Sequence, residues 1–295
     1  MTNYDNIAAV IGVQGSVSPP AQLHLEGADG NHLNALDWGG TGQPCLFLHG
    51  GAMSAHTWTQ TCLMLREQYH CVCVDLRGHG DSAWCDDYSI ASNVSDILHV
   101  LDQLAWTDPH FVGMSLGGVV AAHAVSALAE REPSSLTLVD VAPGVSFGDV
   151  GRISDFMGPE IVAQGPEALI AAARRLGASQ TSAELRHRYR SLTRPHPEGG
   201  WEWKRDTRQP TDYAQILDHI EELDALAPTW SLPCLLVRGG RSRILSEDAA
   251  KAFVLKCKNG RFAAVSNAGH SVQEDNPHEL TGVLQRFWNA ANAEA

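Results

Sequence analysis

Short, mostly apolar runs alternate with amphipathic stretches along this chain, and no other feature of the sequence limits its fold as strongly. Three of the apolar runs are Cys45–Leu48, Cys71–Leu76 and Leu136–Val141. Between them, Ile90–Leu104 carries apolar residues at three- and four-residue steps, which predicts an amphipathic helix. Strands that are apolar along their whole length and are separated by helices are typical of a parallel sheet covered on both faces. We therefore expect one α/β core.

The alternation is interrupted once. From residue 145 to residue 228 the chain is helical in tendency and shows no clear buried strand, and the strand pattern resumes at Pro233–Val237. We interpret residues 21–144 and 229–295 as the core, with residues 145–228 inserted into it as a helical cap. Residues 1–20 end in two prolines and predict a loose N-terminal arm.

The segment Gly113-Met114-Ser115-Leu116-Gly117 lies between a short apolar strand and a helix of small residues. A serine on a sharp strand-to-helix turn has a strained backbone, and a Cβ two positions away on either side would collide with the turn. The hydroxyl then projects above the sheet, and the N–H of Leu116, at the start of the helix, can face an oxyanion. The pattern predicts Ser115 as a nucleophile.

A serine nucleophile needs a base within hydrogen-bond reach. Fourteen histidines are present, so composition selects none of them. His270 follows the strand-like run Arg261–Val265 and precedes the final predicted helix. Because loops that follow parallel strands meet at one edge of the sheet, Ser115 and His270 are expected to lie close together. We predict His270 as the general base.

Four motifs, taken together and in this order, resemble those of the α/β-hydrolase family: His49-Gly50-Gly51, Asp75–Ser82, the Ser115 turn, and Ala268-Gly269-His270. The resemblance extends from about residue 22 to about residue 290. It implies an α/β-hydrolase fold, in which a mostly parallel eight-stranded sheet with an antiparallel second strand is covered by helices. It also implies a helical cap after the sixth strand, and an oxyanion hole formed by the N–H groups of Gly51 and Leu116.

The acid of a serine–histidine–acid triad is harder to place. The commonest family pattern has an Asp where this chain has Ser242, and a serine cannot carry the charge that stabilises an imidazolium. Asp140 follows the sixth predicted strand and lies between the nucleophile and the base in the chain, which is the family's order. Glu247 and Asp248 are the alternatives, although both fit the first turn of a helix. We predict Asp140.

Candidate pocket residues are less well determined. Trp58 is expected either to line the floor of a substrate pocket or to pack the first helix of the core. Trp201 and Trp203, in the inserted region, form either an aromatic wall of that pocket or the ordinary packing of a solvated cap.

Composition and charge exclude several classes of partner. With 21 Lys and Arg against 34 Asp and Glu, the net charge is −13, which is opposite to the basic surface that nucleic acids and anionic membranes require. The N-terminus lacks a positive segment, and no apolar stretch approaches the length of a membrane span, so we expect a cytoplasmic protein. The seven cysteines have no metal-ligand spacing, so we expect no metal site among them. A serine nucleophile with a histidine base requires neither a metal nor an organic cofactor, and we expect none. Oligomeric state is left open.

These observations favour a serine hydrolase that cleaves a carboxylic ester of a small molecule, or a related amide, lactone or carbamate, through an acyl-enzyme on Ser115. Two alternatives keep the same residues. One is a carbon–carbon bond hydrolase or a perhydrolase that uses the same triad. The other is a receptor-like member of the family that binds its ligand with little turnover.

Overall fold

The computed structural model describes residues 3–128, 133–146, 162–175, 178–208 and 213–294. Its strands are, in chain order, β1 (Ala21–Glu26), β2 (His32–Asp37), β3 (Pro44–Leu48), β4 (His70–Val74), β5 (His110–Met114), β6 (Ser135–Val139), β7 (Thr193–Pro195), β8 (Trp201–Trp203), β9 (Cys234–Gly239) and β10 (Gly260–Val265). Strands β7 and β8 pair with each other in a separate hairpin. The other eight form one sheet in the order β1-β2-β4-β3-β5-β6-β9-β10.

Helices precede, connect and follow these strands. They are α1 (Asn3–Val10), α2 (Thr59–Leu65), α3 (Ile90–Leu104), α4 (Leu116–Ala127), α5 (Pro166–Arg175), α6 (Ser182–Leu192), α7 (Tyr213–Leu226), α8 (Glu247–Val254), α9 (Val272–Asp275) and α10 (Pro277–Glu294). A 3₁₀ turn, Ala55–Trp58, leads into α2, and another, Ala227–Thr229, follows α7. Within the described residues, no helix combines the length and the apolar character needed to cross a bilayer.

The sheet has the predicted architecture. Strand β2 is antiparallel to both of its neighbours, β1 and β4, and every other pair is parallel. Strands β5 and β6 are buried along their whole length, as expected for central strands of a sheet covered on both faces. In β4, Cys71 and Cys73 face one apolar cluster while Val72 and Val74 face the other, because side chains alternate along a strand. The expectation of an eight-stranded, mostly parallel sheet with covering helices is confirmed.

The N-terminal residues differ from the prediction of a loose arm. Helix α1 buries Ile7 and Ala8 almost completely, and Val17 is buried further along. The Asp5 carboxylate accepts hydrogen bonds from the Val17 N–H at 3.0 Å and from the Ser16 hydroxyl at 3.2 Å. The expectation of looseness is therefore wrong, since this segment packs against the core. Its apolar pattern is too short to have revealed a helix in the sequence.

The inserted region contains α5, α6, the β7–β8 hairpin and α7, which all lie between β6 and β9 in the chain. Residues 147–161, 176–177 and 209–212 of this region lie outside the described residues. Helices α5 and α6 and strand β8 share a small apolar cluster that includes Leu169, Leu185 and Trp203. The exact division of the chain into core and cap stays a prediction.

Candidate active site

Ser115 lies in the turn between β5 and α4 and has a left-handed backbone, with φ of 50° and ψ of −117°. Gly113 and Gly117, two positions before and after Ser115, must lack a side chain because backbone atoms approach them closely. A Cβ on Gly113 would lie 2.2 Å from the Gly117 carbonyl oxygen, and a Cβ on Gly117 would lie 2.5 Å from the Leu48 carbonyl oxygen. The Ser115 N–H donates to the Val139 carbonyl at 3.1 Å, which ties this turn to β6. The backbone is thus held in a strained state that presents the side chain of Ser115.

Asp140 directly follows β6 and is fully buried, with a positive φ of 53°. Its Oδ1 accepts a hydrogen bond from the Gly239 N–H at 3.0 Å. Its Oδ2 lies 2.8 Å from Nδ1 of His270. His270 follows β10, and its side chain is about one quarter exposed, at 24%. The structure therefore brings together a carboxylate and an imidazole from distant parts of the chain, at the edge of the sheet where Ser115 also lies.

This contact determines the tautomer of neutral His270. Because a carboxylate only accepts hydrogen bonds, the proton must be on Nδ1, and Nε2 is left with a free lone pair. Among the described residues, Ser115 forms no side-chain hydrogen bond with His270. Such bonds are often long before substrate binds and tighten in the complex.

Ser242 occupies the position where the commonest family pattern has its acid, and it contacts Asp140. Its hydroxyl oxygen lies 2.5 Å from Oδ2 of Asp140. The same oxygen accepts from the N–H groups of Ile244 at 3.3 Å and Leu245 at 3.4 Å. Because these two N–H groups fill its acceptor positions, the single hydroxyl proton points to the carboxylate. The sequence excludes Ser242 as the acid and does not predict that its hydroxyl donates to Asp140. The signal that could have indicated this contact is its place in the family pattern, where the acid is usually found.

Arg238 is a second residue that the sequence analysis missed. It lies in β9 with only 9% of its surface exposed, and its guanidinium donates to three carbonyl oxygens of the following loop. These belong to Leu245 at 2.7 Å, Ser242 at 3.0 Å and Gly240 at 3.4 Å. A buried arginine that spans one loop in this way fixes its shape, and therefore the position of the Ser242 hydroxyl.

The alternative acids, Glu247 and Asp248, are exposed in the first turn of α8. Glu247 pairs with Lys251 at 2.6 Å, and this contact lowers the pKa of Glu247. Ser246 caps the same helix by accepting from the Ala249 N–H at 3.1 Å. Both carboxylates thus occupy ordinary helix-start positions, and the carboxylate that contacts His270 is that of Asp140.

The loop after β3 lies against Ser115. A Cβ on Gly50 would lie 3.4 Å from the Cβ of Ser115. Gly51 is exposed, and the next residue, Ala52, has a positive φ of 60°. Leu116 is the first residue of α4, so its N–H has no acceptor within the helix. The two predicted oxyanion donors therefore belong to segments that meet at the nucleophile.

Two buried histidines support this loop in their neutral form. His49 places Nδ1 2.8 Å from the Gly50 carbonyl, and its Nε2 accepts from the Leu76 N–H at 3.0 Å. His79 accepts from the Ala52 N–H at 3.2 Å. Burial lowers the pKa of His49 to about 4, and burial together with the neighbouring His49 lowers the pKa of His79 to about 3. Both therefore act as fixed hydrogen-bonding groups at neutral pH.

The three tryptophans are placed differently from one another. Trp58 is fully buried in an apolar cluster, with its ring centroid 5.2 Å from that of Phe47, so the structure favours packing over the pocket floor. Trp203 is buried among the apolar residues of the inserted region. Trp201 is half-buried and lies over Gly165. A pocket role for Trp201 and Trp203 stays a prediction.

A cavity adjoins the oxyanion loop and is lined by parts of α1, α2, α6 and α9. Met53, two residues after the predicted oxyanion glycine, and Gln273, three residues after the histidine, both contribute to its wall. Arg188 and Glu274 pair across it at 2.8 Å, and Thr57 donates to Glu274 at 3.0 Å. Burial raises the pKa of the Glu274 carboxyl. The guanidinium of Arg188 is therefore paired with a carboxylate of the protein itself, that of Glu274.

Comparisons with known proteins agree with this geometry. A family model described as the alpha/beta hydrolase family matches residues 45–283. Esterase Rv0045c of Mycobacterium tuberculosis is 31% identical over an alignment of 275 residues, and the match covers 88% of this chain and 88% of that one. A probable protein phosphatase methylesterase 1 of Caenorhabditis elegans is 27% identical and matches 88% of this chain and 72% of the relative.

Solved structures give the same result. A structure of the M. tuberculosis esterase Rv0045c superimposes with a TM-score of 0.79 and 27% identity, and it covers 98% of this chain and 99% of that one. The structure of E-2-(acetamidomethylene)succinate hydrolase has a TM-score of 0.78 with 20% identity, over 92% of this chain and 99% of that one. At that identity the second likeness concerns the fold alone.

Proposed function

This chain belongs to the alpha/beta hydrolase family, and from that premise we propose that it hydrolyses carboxylic esters of small molecules through an acyl-enzyme on Ser115. The similarity to an esterase over most of both chains supports the reaction class. The single observation that carries the assignment of residues is the hydrogen bond of His270 to the buried Asp140, at the sheet edge that also presents Ser115.

In the first half of the reaction, Nε2 of His270 takes the proton of the Ser115 hydroxyl as the serine oxygen attacks the ester carbonyl. The carbonyl oxygen becomes an oxyanion and accepts hydrogen bonds from the N–H groups of Gly51 and Leu116. The Asp140 carboxylate stabilises the imidazolium that forms. The intermediate then collapses, the alcohol leaves with the proton held by His270, and the acyl group remains on the serine.

In the second half, water replaces the alcohol. His270 takes a proton from the water molecule as its oxygen attacks the acyl carbonyl. The same two N–H groups stabilise the second oxyanion. Collapse of this intermediate breaks the bond to Ser115, and His270 returns its proton to the serine oxygen. A carboxylic acid is released and the enzyme is restored.

Turnover of short-chain p-nitrophenyl esters tests this proposal. We expect Ser115→Ala to abolish turnover and to prevent labelling by a fluorophosphonate probe, because the nucleophile is lost. Ser179→Ala is the matched control, since Ser179 is exposed in the inserted region and lies outside the proposed machinery. Undiminished turnover by folded Ser115→Ala would contradict the assignment of the nucleophile.

Three further assays, run beside ester turnover, separate the alternative functions. Cleavage of ring-cleavage diketones without cleavage of any ester would favour a carbon–carbon bond hydrolase. Peracid formation from a carboxylic acid and hydrogen peroxide, without ester turnover, would favour a perhydrolase. Saturable ligand binding without turnover would favour a receptor-like protein.

A further inference from the structure

Two histidines and a glutamate meet where α7 packs on α4, outside the proposed catalytic residues. His123 lies in α4, and His219 and Glu222 lie in α7. The i and i+3 spacing of His219 and Glu222 puts both on one face of their helix. His123 comes from a part of the chain 96 residues away, so no local sequence pattern reveals the cluster.

The separations of these groups suit a shared cation. Nδ1 of His219 lies 2.8 Å from Oε2 of Glu222, and the same oxygen lies 3.7 Å from Nε2 of His123. The three ligand atoms all lie within 4.8 Å of one another. Ligands about 2.0–2.1 Å from a tetrahedral zinc ion are roughly 3.4 Å apart, so the two measured separations bracket the required value.

The helices hold the cluster in place while leaving it accessible. On α7, Ile220 and Leu223 are almost fully buried in the core cluster to which α4 also contributes, so the backbone beneath the three groups is packed. Their side chains are 19% exposed for His123, 36% for His219 and 54% for Glu222. The two imidazole rings are 5.5 Å apart and perpendicular, and His123 donates from Nε2 to the His219 carbonyl at 3.2 Å. An ion from solvent can therefore reach the three side chains, and the helices that carry them are packed in the core.

We propose that His123, His219 and Glu222 form a binding site for a divalent transition metal ion, with zinc as the probe, that bridges α4 and α7. Two imidazole nitrogens and one carboxylate oxygen are the ligand set that zinc and its neighbours in the series prefer over magnesium. Both neutral rings change tautomer on binding. His123 shifts its proton from Nε2 to Nδ1, which frees Nε2 as a ligand and breaks its bond to the His219 carbonyl. His219 shifts its proton from Nδ1 to Nε2, which frees Nδ1 as a ligand and replaces its hydrogen bond to Glu222 by shared coordination of the ion. Water completes the coordination.

Calorimetric titration of the tag-free full chain with zinc chloride, after removal of metals with a chelator, tests this site. We expect one bound ion per chain, and no heat of binding from magnesium under the same conditions. His123→Ala and Glu222→Gln should each weaken zinc binding by roughly tenfold or more, because each removes one of three ligands. His99→Ala is the matched control, since His99 is exposed on the neighbouring helix α3 and lies outside the cluster.

Thermal unfolding gives an independent readout. Because the ion would bind the folded chain and tie two helices together, zinc should raise the unfolding midpoint of the natural protein and of His99→Ala. The increase should be lost in His123→Ala and in Glu222→Gln, whose midpoints without zinc serve as the reference. Equal zinc affinity and equal stabilisation in all four proteins would overturn the proposal.

Discussion

Replacing Ser242 by alanine is the most informative single change, because it removes one donor to the proposed catalytic acid and leaves the three proposed triad residues in place. The lost contact is the hydrogen bond from the Ser242 hydroxyl to Oδ2 of Asp140, at 2.5 Å in a fully buried setting. The remaining donors to Asp140 are the Gly239 N–H and His270. Ser242 acts here as a positioning residue, since it works through the carboxylate.

The size of the effect follows from the charge of the acceptor. A hydrogen bond to an ionised group contributes about 1.5–3 kcal/mol, and about 1.4 kcal/mol corresponds to a tenfold change in rate. Only the part of this energy that differs between the ground state and the transition state changes kcat. We expect Ser242→Ala to lower kcat by about tenfold, because the Asp140 carboxylate is then held less firmly in its position against His270.

The pH dependence separates this role from a structural one. The Ser242 hydroxyl withdraws charge from the Asp140 carboxylate, so its removal strengthens the attraction between that carboxylate and protonated His270. Stronger attraction favours the protonated imidazole in the variant. Because the base must be neutral to act, the acidic limb of the kcat/KM profile should move to higher pH.

The assay is a kcat/KM profile between pH 5 and pH 9 with one p-nitrophenyl ester, measured with Ser246→Ala as the matched control. Ser246 caps the next helix without contacting Asp140, so its replacement should cost about 1 kcal/mol of stability and leave the profile unmoved. If Ser242→Ala folds and its acidic limb coincides with that of the natural protein, or lies at lower pH, the reasoning is refuted.

Three further predictions concern the acid, the turn and the buried histidines. Asp140→Asn should fold but lose activity by on the order of 10³–10⁴-fold, because the amide favours the wrong histidine tautomer, whereas Asp248→Asn should stay active. Near-normal kcat of Asp140→Asn in steady-state kinetics would show that Asp140 is not the acid. Gly117→Ala should be destabilised by at least about 2 kcal/mol in urea unfolding, since its Cβ would lie 2.5 Å from a backbone carbonyl oxygen, and an unchanged midpoint would contradict this close approach. Finally, His49 and His79 have folded pKa values of about 4 and about 3, below the unfolded value near 6.5, so the unfolded chain binds more protons below that pH. The free energy of unfolding should therefore fall by roughly 2 kcal/mol for each of them between pH 7 and pH 5, and equal urea midpoints at the two pH values would exclude this coupling.

Local pattern was enough to predict the elements that carry the site. The helix Ile90–Leu104 and the turn at Ser115 depend on the periodicity and on the glycine spacing of neighbouring residues, and both are found where they were expected. The number of strands and the antiparallel second strand could be inferred only through the family resemblance, because strand pairing joins residues far apart in the chain. Asp140 was identified by its place in the chain order, and its contact with His270 supports that choice.

Other features could not be predicted because they depend on tertiary contacts or on very short segments. The hairpin Thr193–Pro195 and Trp201–Trp203 has three-residue strands, which are too short to show alternation. The donation from Ser242 to the carboxylate depends on a loop that the buried Arg238 shapes. A signal for Arg238 was present, since a charged residue within an otherwise apolar strand needs buried partners.

The positions of the three proposed catalytic groups in the sheet predict the order in which function and structure are lost. Ser115 and Asp140 follow the central strands β5 and β6, and the Ser115 N–H bonds directly to β6. His270 follows β10, a half-exposed strand at the border of the sheet. Local opening begins at such borders, so mild denaturant should detach the imidazole while serine and carboxylate are still held together. Inactivation would then precede the main unfolding transition.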